Sequence, residues 1–180
     1  MGKTPPAIMY NISPNITVNV TKEQKIASLF AMDDETWDRH ANPWSVWTRN
    51  TCLPLLIIAF WSRIWIGILF IVPVVLALLW TYINPRLFKK PKSTENWASK
   101  SVLGERIWLN RKEVPVPKRH LLAPNILSAV SGIGFLFVVY GVYFLEIWPT
   151  LLGGAFVYLG KLWFLDRMVW LYEDMKEKHE

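Results

Sequence analysis

Polar side chains crowd one short stretch of this chain, just ahead of its first long apolar run: Glu35-Thr36-Trp37-Asp38-Arg39-His40-Ala41-Asn42-Pro43-Trp44-Ser45-Val46-Trp47-Thr48-Arg49. His40 is the side chain there suited to acid/base work near neutral pH, because an unperturbed imidazole titrates at about 6.5. Arg39 and Arg49, with Arg86 further on, supply forked guanidinium donors of the kind that hold phosphates and carboxylates. Together with Trp37, Asp38, Asn42 and His120 they make up the candidate set for a headgroup or substrate, with His40 as the candidate catalytic group. The same residues also have a purely structural reading. Asn42 can cap a helix whose first position is Pro43, Trp37, Trp44 and Trp47 can anchor at a membrane interface, and the arginines can hold phosphates or acids.

A second polar set lies at the ends of later apolar runs: Asn84-Pro85-Arg86, His120, Lys161 and Asp166-Arg167. Close to hydrocarbon, an unpaired charge is costly, so Asp166 is expected to pair with Arg49 or Lys161, with Arg167 beside it. Static pairing suits these groups better than catalysis. Metal and cofactor chemistry is not expected. Cys52 is the only cysteine, His40 and His120 are the only histidines near the apolar runs, and no clustered His/Glu set occurs. Walker loops, the Rossmann glycine fingerprint, the Gly-x-Ser-x-Gly elbow and His-Glu-x-x-His are likewise absent from the sequence.

The elements that must position these groups are apolar. Of the 180 residues 52% are hydrophobic, 11 are tryptophans, and the net charge is +6. Mean hydropathy is positive, which points to lipid. The charges flank apolar spans instead of coating a soluble fold, so anionic lipid headgroups, not nucleic acid, are the expected counter-charge. Residues 51–82 form an apolar block interrupted only by Ser62-Arg63. As one straight helix it would run about 48 Å against a hydrocarbon core of about 30 Å, so it must fold back. Trp61 and Trp65 place that reversal at an interface.

Four spans are predicted, at about 44–62, 64–83, 124–145 and 147–165, with a turn at Trp148-Pro149 between the last two. The first span reaches across only if it begins near Trp44, which puts Arg49 about a turn inside the boundary, where it snorkels or pairs with an acid. Ser128, Ser131, Gly132 and Gly134 in the third span, and Gly153, Gly154 and Gly160 in the fourth, would let two backbones approach closely. The expected fold class is therefore all-α and integral to a membrane, four transmembrane helices in two hairpins. They fill a membrane domain at 32–175, between a flexible tail at 1–31 and a short C-terminal tail at 176–180.

Loop 84–120 carries Arg86, Lys89, Lys90, Lys92, Lys100, Arg106, Arg111, Lys112, Lys118 and Arg119 against Glu95, Glu105 and Glu113. By the positive-inside rule it is cytoplasmic. With four spans every lysine and arginine except Arg63 falls on that side, and both termini are cytoplasmic. Within the loop, Trp97, Leu103, Ile107 and Trp108 recur too loosely to define an amphipathic helix. Three sequons, at Asn11, Asn15 and Asn19, read as accidents of an Asn/Thr-rich tail. A three-span form with the N-terminus outside is the alternative that would put them where glycosylation occurs. The first 30 residues lack a cleavable signal, the position wanted for myristoylation is Pro6, and Met32 is a second possible start. An ungapped offset of 83 aligns Ile64-Trp65 with Ile147-Trp148 and Leu79-Trp80 with Leu162-Trp163, the pattern a distant duplication of the hairpin would leave.

From Trp37 to Arg49 the chain resembles a family of small uncharacterised prokaryotic multi-span membrane proteins, whose signature reads Trp-x-Arg-His-x-Asn-Pro-x-Ser-x-Trp-x-Arg. The resemblance runs from about Glu35 to Asp174. It implies a membrane fold and carries no activity with it. The expected function is that of a non-enzymatic component of the cell membrane, engaging a protein partner, a second copy of itself or anionic lipid through the cytoplasmic face. The alternative is a small enzyme acting on an amphiphile at that interface, with His40 as acid/base and Arg39, Arg49 and Arg86 on an anion. A transporter ranks below both, because the deep positions are nearly all Leu, Ile, Val, Phe and Gly.

Overall fold

The computed structural model describes residues 33–112 and 114–177, and every regular element among them is helical. The N-terminal tail, with its three sequons and Met32, lies outside the described residues.

Two short helices open the fold. In α1 (Asp34–His40) the Asp33 carboxylate accepts from the Thr36 N–H at 2.8 Å, acids fill the first turn, and Arg39 and His40 fill the last. Both choices complement the helix dipole. The second helix, α2 (Pro43–Arg49), starts as its sequence requires: Pro43 stands at the first position and the Asn42 side chain accepts from the Trp44 N–H at 3.0 Å. At Asn50-Thr51 the chain bends before α3 (Cys52–Trp61), so the segment expected as one span at 44–62 is two helices in series.

The reversal after α3 is longer than a turn at Ser62-Arg63. A single helical turn, Arg63–Ile66, ends at Gly67, and a 3-10 turn, Gly67–Phe70, leads into α4 (Ile71–Leu87). Gly67 has φ +56° and ψ −133°, a conformation that a Cβ would strain, and this lets the chain double back. The two limbs are joined near the reversal by the Phe60 and Phe70 rings, 6.1 Å apart. At the far end the Trp80 indole N–H donates to Thr51 Oγ1 at 3.0 Å.

The second hairpin is α6 (Leu122–Phe144) and α7 (Ile147–Glu177), separated by Leu145 at φ 60°. Its seam is made of small residues. A Cβ on Gly134 would stand 2.8 Å from the Gly153 carbonyl, and one on Gly153 would stand 2.6 Å from the Gly134 carbonyl. Gly160 sits against Ser131 and Gly141 against Thr150, whereas Gly132 and Gly154 have nothing within 4 Å. Close backbone approach of this kind brings the two helices into extended van der Waals contact.

The stretch expected as a loop at 84–120 contains α5 (Trp97–Leu109), capped by Asn96, whose Oδ1 accepts from the Ser99 N–H at 2.9 Å. The partner of α5 is the far half of α7, which continues past Leu165 to Glu177. Gly104 lies so close to the Met168 carbonyl that no side chain fits between them. Trp108, Leu127, Phe164, Leu165, Met168, Leu171 and Met175 form the core they share. A second cluster of Ala41, Val46, Ala98 and Val102, with Trp37 and Trp97 against it, fastens α1 and α2 to α5. Among the described residues, the two hydrophobic clusters therefore lie at one end of the hairpins, while Ala59, Ala77, Val138 and Val142 are buried along them.

Two helical stretches, Pro43–Leu87 and Lys118–Phe144, are long and apolar enough to cross a membrane. Only 11% and 28% of their most apolar windows are buried within the chain, where a core helix of a soluble protein would be mostly covered. In α7 the apolar run is diluted by Pro149, Tyr158 and Lys161, and it falls outside that pair. Both reversals lie at the same end of the molecule: the Arg63 guanidinium donates to the carbonyls of Val142 and Tyr143, each at 2.6 Å.

Candidate functional site

The polar residues gather at the opposite end, where α1 and α2 meet the end of α4. His40 is buried, and its Nδ1 is 2.8 Å from Ser45 Oγ. The Ser45 hydroxyl is 3.4 Å from Asn84 Oδ1, the longest link of the series. The Asn84 amide donates to Thr48 Oγ1 at 2.7 Å, and the Thr48 hydroxyl donates to the Trp44 carbonyl at 2.6 Å. These bonds run in one direction if Nδ1 carries the imidazole proton, which assigns the tautomer from the network. Ser45 and Asn84 are fully buried, so the series satisfies polar groups that would otherwise be orphaned. Burial first, and then the charges of Arg49 and Lys161, lower the His40 pKa from 6.5 to about 3. The ring is thus held neutral at physiological pH.

Outside this buried series stands a layer of ion pairs. Arg39 binds Glu35 at 2.5 Å and donates to the Arg86 carbonyl at 3.2 Å. Asp38 pairs with Lys90 at 2.7 Å and lies 3.8 Å from Arg106, which also meets Asp34. Asn42, besides capping α2, donates to the Lys89 carbonyl at 2.9 Å. Arg86 turns back over the Tyr82 ring, 4.0 Å from its centroid, and donates to the Tyr82 carbonyl at 2.6 Å. Trp37 tilts over His40 with ring centroids 6.4 Å apart.

His120 belongs to a separate place. It is buried at the entry to α6, and its Nε2 hydrogen-bonds Asp174 of α7, which Arg119 also holds at 2.5 Å. Hydrogen bonds from His120 and Arg119 keep the Asp174 carboxyl below the usual range despite some desolvation. Asp174 therefore ties the end of α7 to the start of α6. Lys161 meets Glu105 of α5 at 2.8 Å, the role the sequence suggested for Asp166. Asp166 instead accepts from the Trp97 indole N–H at 3.2 Å, and Arg167 stacks over Trp170 at 4.8 Å.

A family model matches residues 21–179 of this chain. The chain belongs to the DUF6653 family of unknown function. DUF6653 membership covers every residue of the site and brings no activity with it. No curated protein and no solved structure matches the chain. What this DUF6653 chain can do chemically must therefore be read from its own groups. Of the sequence-predicted set, Asp38, Arg39, Asn42 and Arg86 converge on the segment leaving α4, His40 lies behind them in the buried series, and His120 stands apart. Asn84, read in the sequence as part of the second polar set, joins the buried series instead, and Ser45, Thr48, Lys90, Arg106 and Asp174 complete the two clusters without having been candidates. For Asn84 a signal existed, since an asparagine directly before Pro85 at the end of an apolar run needs hydrogen-bond partners. The pairings of Lys90, Arg106 and Asp174 span 52 to 72 residues and leave no local trace.

Proposed function

We propose that the chain is a multi-pass protein of the cell membrane, with four spans in two hairpins and both termini cytoplasmic. In this reading it serves as a non-enzymatic component that engages anionic lipid or a protein partner through its charged end. One observation carries the reading: the charged layer and the packed core lie together at one end of two largely bare apolar hairpins. Lipid would cover the bare helix faces, and the charged end would meet headgroups and cytoplasm. Trp65 and Trp148, 71% and 77% exposed at the reversals, and Trp44 and Trp47 at the other end, suit two interfacial belts.

His40 argues for the non-enzymatic reading over the alternative of a small interfacial enzyme. A general base must reach its substrate, and this imidazole is enclosed by Ser45 and Trp37. Single-cysteine accessibility in a Cys52→Ser background tests the topology. Labels at Tyr10→Cys and Lys90→Cys are expected on the same side and at Trp65→Cys on the other; positions 10 and 90 on opposite sides would refute it. Purification from the native membrane tests the function. A stoichiometric protein or an enriched anionic lipid is expected, and a monomer whose stability ignores lipid charge would count against it.

A further inference from the structure

We propose that the open groove between α1 and the segment leaving α4 holds the headgroup of an amine-bearing phospholipid, its phosphate on Lys89, Lys90 and Arg39 and its primary ammonium on Glu35 and Asp38. The proposal rests on the lipid-engaging reading above and names the headgroup. The groove encloses about 480 Å³, and Leu87 and Phe88 form its lip beside those five charged residues. Three cations and two carboxylates share one opening. A bare phosphate, or one esterified to glycerol, would be attracted by the first and repelled by the second. A phosphate with an ammonium two carbons away offers each set its opposite charge. A quaternary ammonium has no N–H to donate to Glu35 or Asp38, and the aromatic cage that such groups need is reduced here to the single ring of Phe88.

The pairs now within the groove are easily exchanged. Lys90 and Asp38 are 68% and 36% exposed, and Arg39 and Glu35 are 43% and 72% exposed, so solvent screens both. Lys89 makes no ion pair among the described residues, while its carbonyl is fixed by Asn42. One cation is therefore free to reach a phosphate from an anchored backbone. The lip decides for a lipid over a soluble ester. Leu87 is 60% exposed at the end of α4, continuous with exposed Ile83 and Tyr82, and acyl chains would lie along that face.

The test is native mass spectrometry of the full chain, released from nanodiscs containing equal parts phosphatidylethanolamine, phosphatidylglycerol and phosphatidylcholine. The wild type is expected to retain phosphatidylethanolamine about fivefold over each of the others. Glu35→Gln with Asp38→Asn should abolish that preference, and Lys89→Glu should lower retention of all three. Glu35 and Lys89 are exposed, the amide that replaces the Asp38 carboxylate can still accept from Lys90, and an unchanged thermal unfolding midpoint for each variant shows that the fold is kept. Equal retention of phosphatidylglycerol and phosphatidylethanolamine would overturn the headgroup assignment and leave the lipid reading standing. Retention of no lipid would overturn both. Displacement of the lipid by an equal concentration of soluble phosphoethanolamine would overturn the commitment to a membrane ligand.

Discussion

Protonating His40 would put a cation into a place that is removed from solvent and already faces Arg49 and Lys161. With a folded pKa of about 3 and an unfolded value of 6.5, the unfolded chain takes up a proton that the folded chain refuses. The stability gained is complete above pH 6.5 and is lost as pH falls toward 3, by about 1.4 kcal/mol per unit within that window. Asp174 adds its own loss only as pH falls through the ordinary carboxylate range and below, because its folded pKa is also depressed. Thermal unfolding in detergent between pH 6.5 and pH 5, compared between the wild type and a His40 variant, isolates this contribution. His40→Asn should start from a lower stability and lose the slope, whereas a slope unchanged in that variant would assign the acid sensitivity elsewhere. The sequence made His40 visible as a titratable group beside arginines. Its quenching was not legible, because Ser45 lies five residues away but Asn84 and Lys161 come from distant helices.

At the scale of the element, α5 is what turns two hairpins into one molecule, and its docking depends on Gly104. A methyl there meets the backbone carbonyl of Met168, which has no rotamer to escape into. Gly104→Ala is expected to cost about 1–3 kcal/mol and to expose the Trp108 face to quencher. Gly132→Ala, on the neighbouring α6 with open space around it, should be neutral or stabilise by up to about 1 kcal/mol through helix propensity. Equal effects of the two would refute the close approach. The contrast also explains what the sequence concealed. Glycines 132, 134, 153, 154 and 160 are alike in apolar context, and only the helix facing each one decides which are needed. Likewise, α5 has a weak apolar periodicity because it is covered on several sides, by α7 on one and by α1 and α2 on another. A helix enclosed in this way loses the single stripe by which amphipathic segments are recognised. The long apolar runs, by contrast, were legible at once, since a run that is apolar on all faces needs no knowledge of its neighbours to be recognised.

At the scale of the whole molecule, the two hairpins are joined at the charged end through α5 and, at the reversals, by the Arg63 side chain. Arg63 donates both of its short bonds to carbonyls in the last turn of α6, the acceptors that a helix leaves unsatisfied and the end where its dipole is negative. It is thus a C-terminal cap for one hairpin supplied by the other. Removing it should free the tip without touching the core around Trp108 and Met168, because that core draws on the start of α6 and the far half of α7, away from the turn that joins them. Arg63→Gln is expected to cost about 1–2 kcal/mol locally. Hydrogen exchange should then quicken over residues 59–71 and 141–147 and stay unchanged over 97–109. Faster exchange in α5 as well would mean that the hairpins and the charged end open as one unit, and the rigid base inferred from the packing would have to be given up.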